Sequence, residues 1–284
     1  MRVGMITQLL WSRYGDVWEK LVQGVGLDTQ RAAPEEVERR LQDERLDAVS
    51  GLAFKLAAAE ALAFEHADVI LAPELNPGAS SLRGSGQDPF IASFPEALGA
   101  SLSGLPPIVS VPASLEGSLE TLVVNTLHTL MRDAALVRRV WERYRPSARA
   151  PKIAEPRWRV RPSEGETLGV IGQPWVMREN VVGSVMAGLE SHSVSQYQLD
   201  PAMLRSEGGR VDERLIATDS EVLGAARYLG RKGSVSKLVM IADKTSGADA
   251  WLAKRAQKLT RKPLEVIYLQ DALEPDALLS AFLS

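Results

Sequence analysis

The chain contains no cysteine among its 284 residues. This absence excludes disulfide bonds, thiolate zinc sites, cysteine-ligated iron–sulfur clusters and a cysteine nucleophile. The three histidines, His66, His128 and His192, are too widely spaced to form a histidine-rich metal motif. The sequence therefore has no residue for thiol chemistry, and histidine offers few ligands for a metal ion.

Long apolar runs and a basic excess are also missing. No segment approaches the ~18 apolar residues of a membrane-spanning helix, and Met1 leads directly into a strand-like segment without a signal-peptide pattern. The 33 basic and 36 acidic residues give a net charge of −3, so no global positive charge is available for nucleic acid or an anionic membrane. We expect a cytoplasmic protein that binds neither.

Known catalytic motifs are absent as well. The sequence has no Walker A loop, no G-x-G-x-x-G, no G-x-S-x-G and no H-E-x-x-H. What it has is 45% hydrophobic and 24% charged residues, a balance typical of globular proteins.

Short β-branched runs alternate with helical patterns along most of the chain. This rhythm predicts βαβ units and an α/β fold of two doubly wound, Rossmann-like (flavodoxin-like) parallel-sheet domains. Ligand sites in such folds lie beyond the carboxyl ends of the strands, where polar loops occur at 78–94, 172–175 and 243–247. The predicted strands are 3–6, 69–72, 108–111, 168–171, 195–199, 238–242 and 264–269. The predicted helices are 17–23, 34–46, 52–66, 119–132, 134–144, 180–190, 201–205, 220–230, 248–259 and 276–283.

The rhythm is interrupted between 145 and 166 by the prolines Pro146, Pro151, Pro156 and Pro162. We interpret the basic residues of this stretch as solvated charges opposed by nearby glutamates; a nucleic-acid patch is the alternative. The sequence thus predicts an N-terminal α/β domain at 1–145, a Pro/Arg-rich linker at 146–166 and a C-terminal α/β domain at 167–284, with a cleft between the domains.

Four segments share their order with a known family. They are 3–18, with its strand and Tyr-containing turn, 67–73 (ADVILAP), 171–175 (IGQPW) and 221–226 (EVLGAA). In these segments the chain resembles the 2-hydroxyacyl-CoA dehydratase D-component family, which includes subunits related to 2-hydroxyglutaryl-CoA dehydratase and benzoyl-CoA reductase. The resemblance covers nearly the whole chain.

The resemblance also implies what has been lost. Members of that family hold an iron–sulfur cluster with cysteines from three loops, and the corresponding positions here are Gly51, Asp88 and Ser246. Because these residues cannot replace soft thiolate donors, we expect no cluster and no cluster-dependent dehydratase or reductase activity. The nearby family positions Lys55, Gly247 and Asp249 are kept, and no other cofactor or metal is expected.

Two hypotheses for function follow. The first is a non-catalytic homologue that serves as a binding or assembly module, with an activase-like ATPase or a cluster-bearing paralogue as the partner that the resemblance implies. The alternative is an enzyme of altered, cluster-free chemistry that binds an acyl-CoA or other anionic small molecule in the cleft, with Asp88 or Asp249 as general base. A flavodoxin-like small-molecule sensor is a third option. The expected cleft-binding residues are Lys55, Gln173, Trp175, Lys244, Gly247 and Asp249.

Overall fold

Residues 1–77, 88–150, 153, 167–187 and 192–283 are described by the structure, a computed structural model. Their contacts divide into two compact units. The first unit holds Met1–Ser50, Phe54–Pro77 and residues 89–150, and the second holds Gly51–Ala53, Asp88 and the described residues from 153 onward. Of the predicted linker, residues 151–152 and 154–166 lie outside the described part of the chain, as do residues 78–87 of the predicted polar loop.

The first unit contains a four-stranded parallel sheet in the order β2-β1-β3-β4. The two central strands, β1 and β3, consist mostly of buried apolar residues, as expected for strands covered on both faces. The edge strand β2 is short, polar and mostly exposed. The strands are β1 (Arg2–Met5), β2 (Asp28–Gln30), β3 (Val69–Glu74) and β4 (Ile108–Pro112). The helices are α1 (Trp11–Gly24), α2 (Pro34–Arg40), α3 (Leu52–Ala63), α4 (Pro89–Ala92), α5 (Phe94–Ser101), α6 (Glu120–Leu130) and α7 (Ala134–Tyr144), and a 3-10 helix spans Glu44–Ala48. The first two residues of α3 belong to the second unit.

The second unit repeats this topology with a four-stranded parallel sheet in the order β6-β5-β7-β8. Its strands are β5 (Thr167–Gly172), β6 (His192–Ser195), β7 (Lys237–Ala242) and β8 (Leu264–Tyr268). Its helices are α8 (Glu179–Met186), α9 (Pro201–Gly209), α10 (Ala217–Arg231), α11 (Gly247–Leu259), α12 (Leu269–Ala272) and α13 (Pro275–Leu283), with a 3-10 helix at Gln196–Gln198. The predicted α/β class with parallel sheets is therefore confirmed.

Two glycines let α9 and α10 pack with their backbones in contact. A Cβ atom built on Gly224 would lie 1.9 Å from the carbonyl oxygen of Leu204, and one built on Gly208 would lie 2.1 Å from that of Ser220. Both distances are far below van der Waals contact, so only glycine fits at this crossing. The crossing fixes α10 beside the sheet, where it carries Asp219 toward the site described below.

One predicted strand was misplaced. The strand expected at 195–199 is β6 (His192–Ser195), which ends at Ser195 and is followed by the 3-10 helix. Among the helices of the described residues, none has the length and apolarity needed to cross a membrane.

Candidate functional site

The carboxyl ends of β5 and β7 form the topological switch point of the second sheet. The chain leaves β5 toward β6 on one side and reaches β7 on the other, since β5 lies between the two. In open parallel sheets this is where ligands bind. Gln173 directly follows β5, and Asp243 directly follows β7.

Two buried glutamines stand at this edge. Gln173 is fully buried and Gln196 is 2% exposed. The Gln196 Oε1 atom accepts the backbone N–H of Gly172 at 3.2 Å, and the Gln173 amide donates to Asp219 Oδ1 at 3.4 Å. Among the described residues, Oε1 of Gln173 and Nε2 of Gln196 have no hydrogen-bond partner. Each unpaired buried group costs about 1–3 kcal/mol, so the pair is an unusual feature for an interior.

The loop from β7 to α11 is held by Asp243. Its Oδ1 atom accepts from the backbone N–H and the hydroxyl of Thr245, at 2.8 and 2.6 Å, and from the amide of Gln270 at 2.6 Å. Its Oδ2 atom accepts the backbone N–H of Leu52 at 2.5 Å. Asp243 therefore uses its carboxylate to order this edge of the second unit.

Asp249, in the first turn of α11, completes that loop. Its Oδ2 atom accepts the backbone N–H of Asp243 at 2.8 Å, and its Oδ1 atom accepts the Ser246 hydroxyl at 3.2 Å. Ser246 in turn caps α11 by accepting the N–H of Asp249. Desolvation by burial raises the pKa of Asp249 to about 7, and the neighbouring charges of Asp243 and Asp219 act in the same direction. This carboxyl group is thus protonated over much of the pH range in which an exposed aspartate is ionised.

Arg205 and Lys244, two cations of the second unit, have carboxylate partners. Arg205 donates to the carboxylate of Glu221, which is 2% exposed, at 2.5 Å. The Lys244 ammonium forms an ion pair with Asp271 and lies 5.8 Å from the centre of the Tyr268 ring. Since the buried groups here are amides and carboxylates, the edge favours hydrogen bonding to a neutral group over binding an anion.

The first sheet has a comparable buried acid at its switch point, between β1 and β3. Glu60, 1% exposed on α3, accepts the backbone N–H groups of Thr7 and Gln8 at 2.9 and 3.0 Å and also accepts the Thr7 hydroxyl. Leu9 and Leu10 follow with φ of 56° and 71°. A carboxylate of the protein thus holds the backbone that leaves β1.

Most of the site residues predicted from the sequence lie in the second unit. Ser246, Gly247 and Asp249 are part of the β7–α11 loop and helix start, Gln173 is at the switch point, and Trp175 is 4% exposed in the turn after β5.

The other predicted positions are more scattered. Gly51 belongs to the second unit with φ +82°, and its neighbour Leu52 bonds to Asp243. Asp88 is half-buried and belongs to the same unit, whereas the half-buried Lys55 on α3 belongs to the first. The structure thus brings the backbone beside Gly51 to the Ser246 loop. The ancestral role of these positions stays a prediction.

Sequence reasoning missed Gln196, Asp219 and Glu60. Gln196 lies inside the strand predicted at 195–199, and only the observed end of β6 at Ser195 places it beyond a strand. Asp219 directly precedes the helix predicted at 220–230 and Glu60 lies within the one predicted at 52–66, and only the packing of α10 and α3 shows that they are buried.

A scan of protein-family models and a search of curated proteins give no match to this chain. Within the described residues, no three histidine, aspartate or glutamate side chains are grouped so as to hold a metal ion.

Proposed function

We propose that this protein is a non-catalytic binding module, a homologue of the dehydratase D-components without their cluster, and that it binds a small molecule at the carboxyl edge of the second sheet. The observation that carries the proposal is the pair of unpaired buried amide atoms, Oε1 of Gln173 and Nε2 of Gln196. One is an acceptor and the other a donor, so together they complement a ligand group that both donates and accepts.

An amide is such a group. The pantetheine arm of an acyl-CoA carries amides, which supports the CoA-type ligand that the family resemblance implies. Filling the two vacant hydrogen bonds would recover the cost of burying these atoms unpaired. The activase-like ATPase and the cluster-bearing paralogue remain proposed partners on the resemblance alone.

The loop acids support binding over catalysis. Both oxygen atoms of Asp243 and both of Asp249 accept hydrogen bonds from the protein itself. Carboxylates used in this way position a loop, whereas a general base needs an oxygen that can reach a substrate proton.

One observation favours the enzyme of altered chemistry. Asp249 has a pKa raised to about 7, which is the range in which a general acid or base works best at neutral pH. This second function would be supported if the protein turns over an acyl-CoA and Asp249→Asn abolishes that turnover. A substitution of Gln257, which is exposed on the same helix, is the control and should leave the turnover unchanged.

The test of the binding module is a thermal-shift series on the full chain with pantetheine, coenzyme A, acetyl-CoA and ATP. We expect the pantetheine-containing compounds to raise the melting temperature, since a ligand at 100 times its Kd adds about 2.7 kcal/mol to the free energy of unfolding. Gln173→Met and Gln196→Met should each abolish the shift because they remove the vacant donor or acceptor. Gln257→Met, at an exposed position of α11, is the control and should keep it.

Two results would contradict the proposal. One is the absence of any shift with the pantetheine-containing compounds. The other is a shift that persists unchanged in both buried-glutamine variants, because the ligand would then bind elsewhere.

A further inference from the structure

Helix α7 and the turn that follows it carry a cluster of arginines. Residues 134–149 contain five arginines and a single acidic residue, Glu142, so this stretch has a net charge of +4. Because the whole chain has a net charge of −3, its other residues together carry −7. The five arginines, which we call the arginine face, are Arg138, Arg139, Arg143, Arg145 and Arg149.

The arginine face lies on the side of α7 that is turned away from the core. All five arginines are exposed. At 3.6 residues per turn, Arg138 and Arg145 form one stripe along the helix, and Arg139 and Arg143 form a second stripe about 100° away. The backbone of Arg145, the C-cap residue, is still helical. The buried residues of the helix are Val137, Val140 and Trp141.

None of the five guanidinium groups has a carboxylate partner in the part of the chain that the structure describes. Glu142 lies four residues after Arg138, at a spacing that allows an ion pair, but the two form none. Arginines elsewhere in the described residues commonly bind carboxylates, at 2.8 Å in Arg45–Glu65, 3.0 Å in Arg227–Glu207 and 2.7 Å in Arg255–Asp212. The arginine face is thus a group of like charges that the described residues do not neutralise.

The surface around these arginines is small or polar. Its other exposed residues are Ala134, Ala135, Glu142, Pro146 and Ser147. The exposed large apolar side chains of the described residues are Met1 and Leu122, and neither lies on α7. A protein interface usually has an apolar or aromatic core, and a helix that lies on a membrane inserts apolar side chains. The arginine face suits nucleic acid better, because interfaces with nucleic acid are polar and strongly positive.

The aromatic residues of α7 favour a duplex over a single strand. Proteins that bind single strands stack the bases on accessible aromatic rings. Trp141 is only 4% exposed, and Tyr144 is half-buried with the guanidinium of Arg143 5.4 Å from its ring centre. Helix α7 therefore offers charges for phosphates and no open ring for a base.

We propose that the arginine face binds the phosphate backbone of double-stranded DNA without reading its sequence. A guanidinium group presents a planar set of donors that matches phosphate oxygens. The major groove of B-DNA is about 12 Å wide, close to the diameter of a helix, so two stripes of arginines on one helix can reach the phosphates on both sides of its mouth. The major groove of duplex RNA is too narrow for this arrangement.

The negative charge of the whole chain does not oppose this contact at short range. Charges further away than the Debye length of about 8 Å are largely screened at physiological salt. Arg138 and Arg145 are about 10 Å apart along the helix axis, a length over which one strand of DNA places about three phosphates. The proposal is independent of the function proposed for the second sheet.

The test is the fluorescence anisotropy of a labelled 20-base-pair DNA duplex titrated with the full chain at 50, 100 and 200 mM sodium chloride. If each of the five arginines meets one phosphate, the logarithm of the affinity falls with a slope of about −4.5 against the logarithm of the salt concentration. The affinity should then fall about 500-fold between 50 and 200 mM. Arg139→Gln and Arg145→Gln should each reduce the slope by about 0.9 and weaken binding about eightfold at 100 mM.

Arg39→Gln is the matched control. Arg39 is an exposed arginine of the first unit on α2 and forms an ion pair with Glu36, so its replacement should leave the slope unchanged. Glu142→Gln removes the one carboxylate beside the arginines and should tighten binding about twofold, a gain that a damaged fold would not give. Because all these side chains are on the surface, the urea midpoints of the variants should match that of the unmodified chain.

The proposal is overturned if the DNA duplex does not bind at 50 mM salt, or if Arg39→Gln weakens binding as much as Arg139→Gln does. Tighter binding of duplex RNA or of a single strand of the same sequence would also overturn it, because the face would then suit another nucleic acid. Tighter binding of poly-L-glutamate would overturn it in favour of an acidic protein.

Discussion

Replacing Asp249 by asparagine tests the energetics of the second sheet's edge most directly. The carboxyl group is 1% exposed and has a pKa raised from 3.8 to about 7, chiefly because burial disfavours its charged form. An asparagine keeps the shape of the protonated acid: its carbonyl accepts one N–H, and its NH₂ group faces the Ser246 oxygen. The variant therefore mimics the neutral state at every pH.

The sign of the effect follows from proton binding. Between pH 4 and 7 the unfolded chain has Asp249 ionised, while the folded protein keeps it protonated and so binds more protons. The free energy of unfolding must then fall as the pH rises through this window and level off above about 7. A shift of roughly three units at 1.36 kcal/mol each gives about 4 kcal/mol over the whole window.

The assay is urea unfolding followed by tryptophan fluorescence between pH 4.5 and 8, with Trp175 and Trp251 in the second unit as reporters. We expect Asp249→Asn to be more stable than the unmodified protein by about 1 kcal/mol at pH 4.5 and by up to about 4 kcal/mol at pH 8. Glu74, whose pKa burial also raises, is present in both proteins and cancels in the comparison.

Asp212→Asn is the control for this experiment. Hydrogen bonds from Arg214 and Arg255 hold the pKa of Asp212 well below its usual range. Asp212 is therefore ionised in the folded protein throughout the pH range of the assay. Its loss should lower stability by a constant amount from pH 5 upward and leave the slope unchanged. Equal slopes in Asp249→Asn and the unmodified protein would refute the reasoning.

Two further predictions concern stability and are measured by urea unfolding at pH 7. Gly224→Ala should lower the free energy of unfolding by about 1–3 kcal/mol because its Cβ would lie 1.9 Å from the Leu204 carbonyl oxygen. The control is Gly183→Ala on α8, where the Cβ has open space and the free energy of unfolding should rise by up to about 1 kcal/mol. Equal effects of the two substitutions would contradict the close crossing of α9 and α10. Glu60→Leu should cost about 1–3 kcal/mol because the N–H groups of Thr7 and Gln8 would lose their acceptor. An unchanged midpoint would mean that this carboxylate does not hold the loop.

The buried parallel strands could be predicted because a short apolar, β-branched run in the sequence is enough to indicate each of them. The runs 69–72 and 108–111 are apolar and β-branched, and the observed strands β3 and β4 begin at the same residues. The edge strand β2 could not be found this way, since three polar, mostly exposed residues carry no hydrophobic pattern. Helix α1 begins six residues before the predicted start at 17, after Leu9 and Leu10 in left-handed conformations and without a capping side chain.

The candidate site was predictable only in part. Gln173 and Asp249 follow strands or open a helix, and the α/β pattern directs attention to such positions. Gln196 and Asp219 take part only because β6 lies beside β5 and α10 packs against the sheet, which are contacts between distant segments. The half-buried arginine partner of Glu221 likewise depends on packing that no short motif encodes.

The two sheets have the same strand order, but different side chains bind the backbone N–H groups at their switch points. After β1, the N–H groups of Thr7 and Gln8 are bound by a carboxylate, which only accepts. At the end of β5, the N–H of Gly172 is bound by the amide of Gln196, which has an N–H of its own left over. If a ligand binds at the second edge as proposed, we expect its acceptor to bind this N–H, and because that edge also holds buried acids, a neutral carbonyl suits it better than an anion. Pantetheine should accordingly bind there without the charged end of coenzyme A.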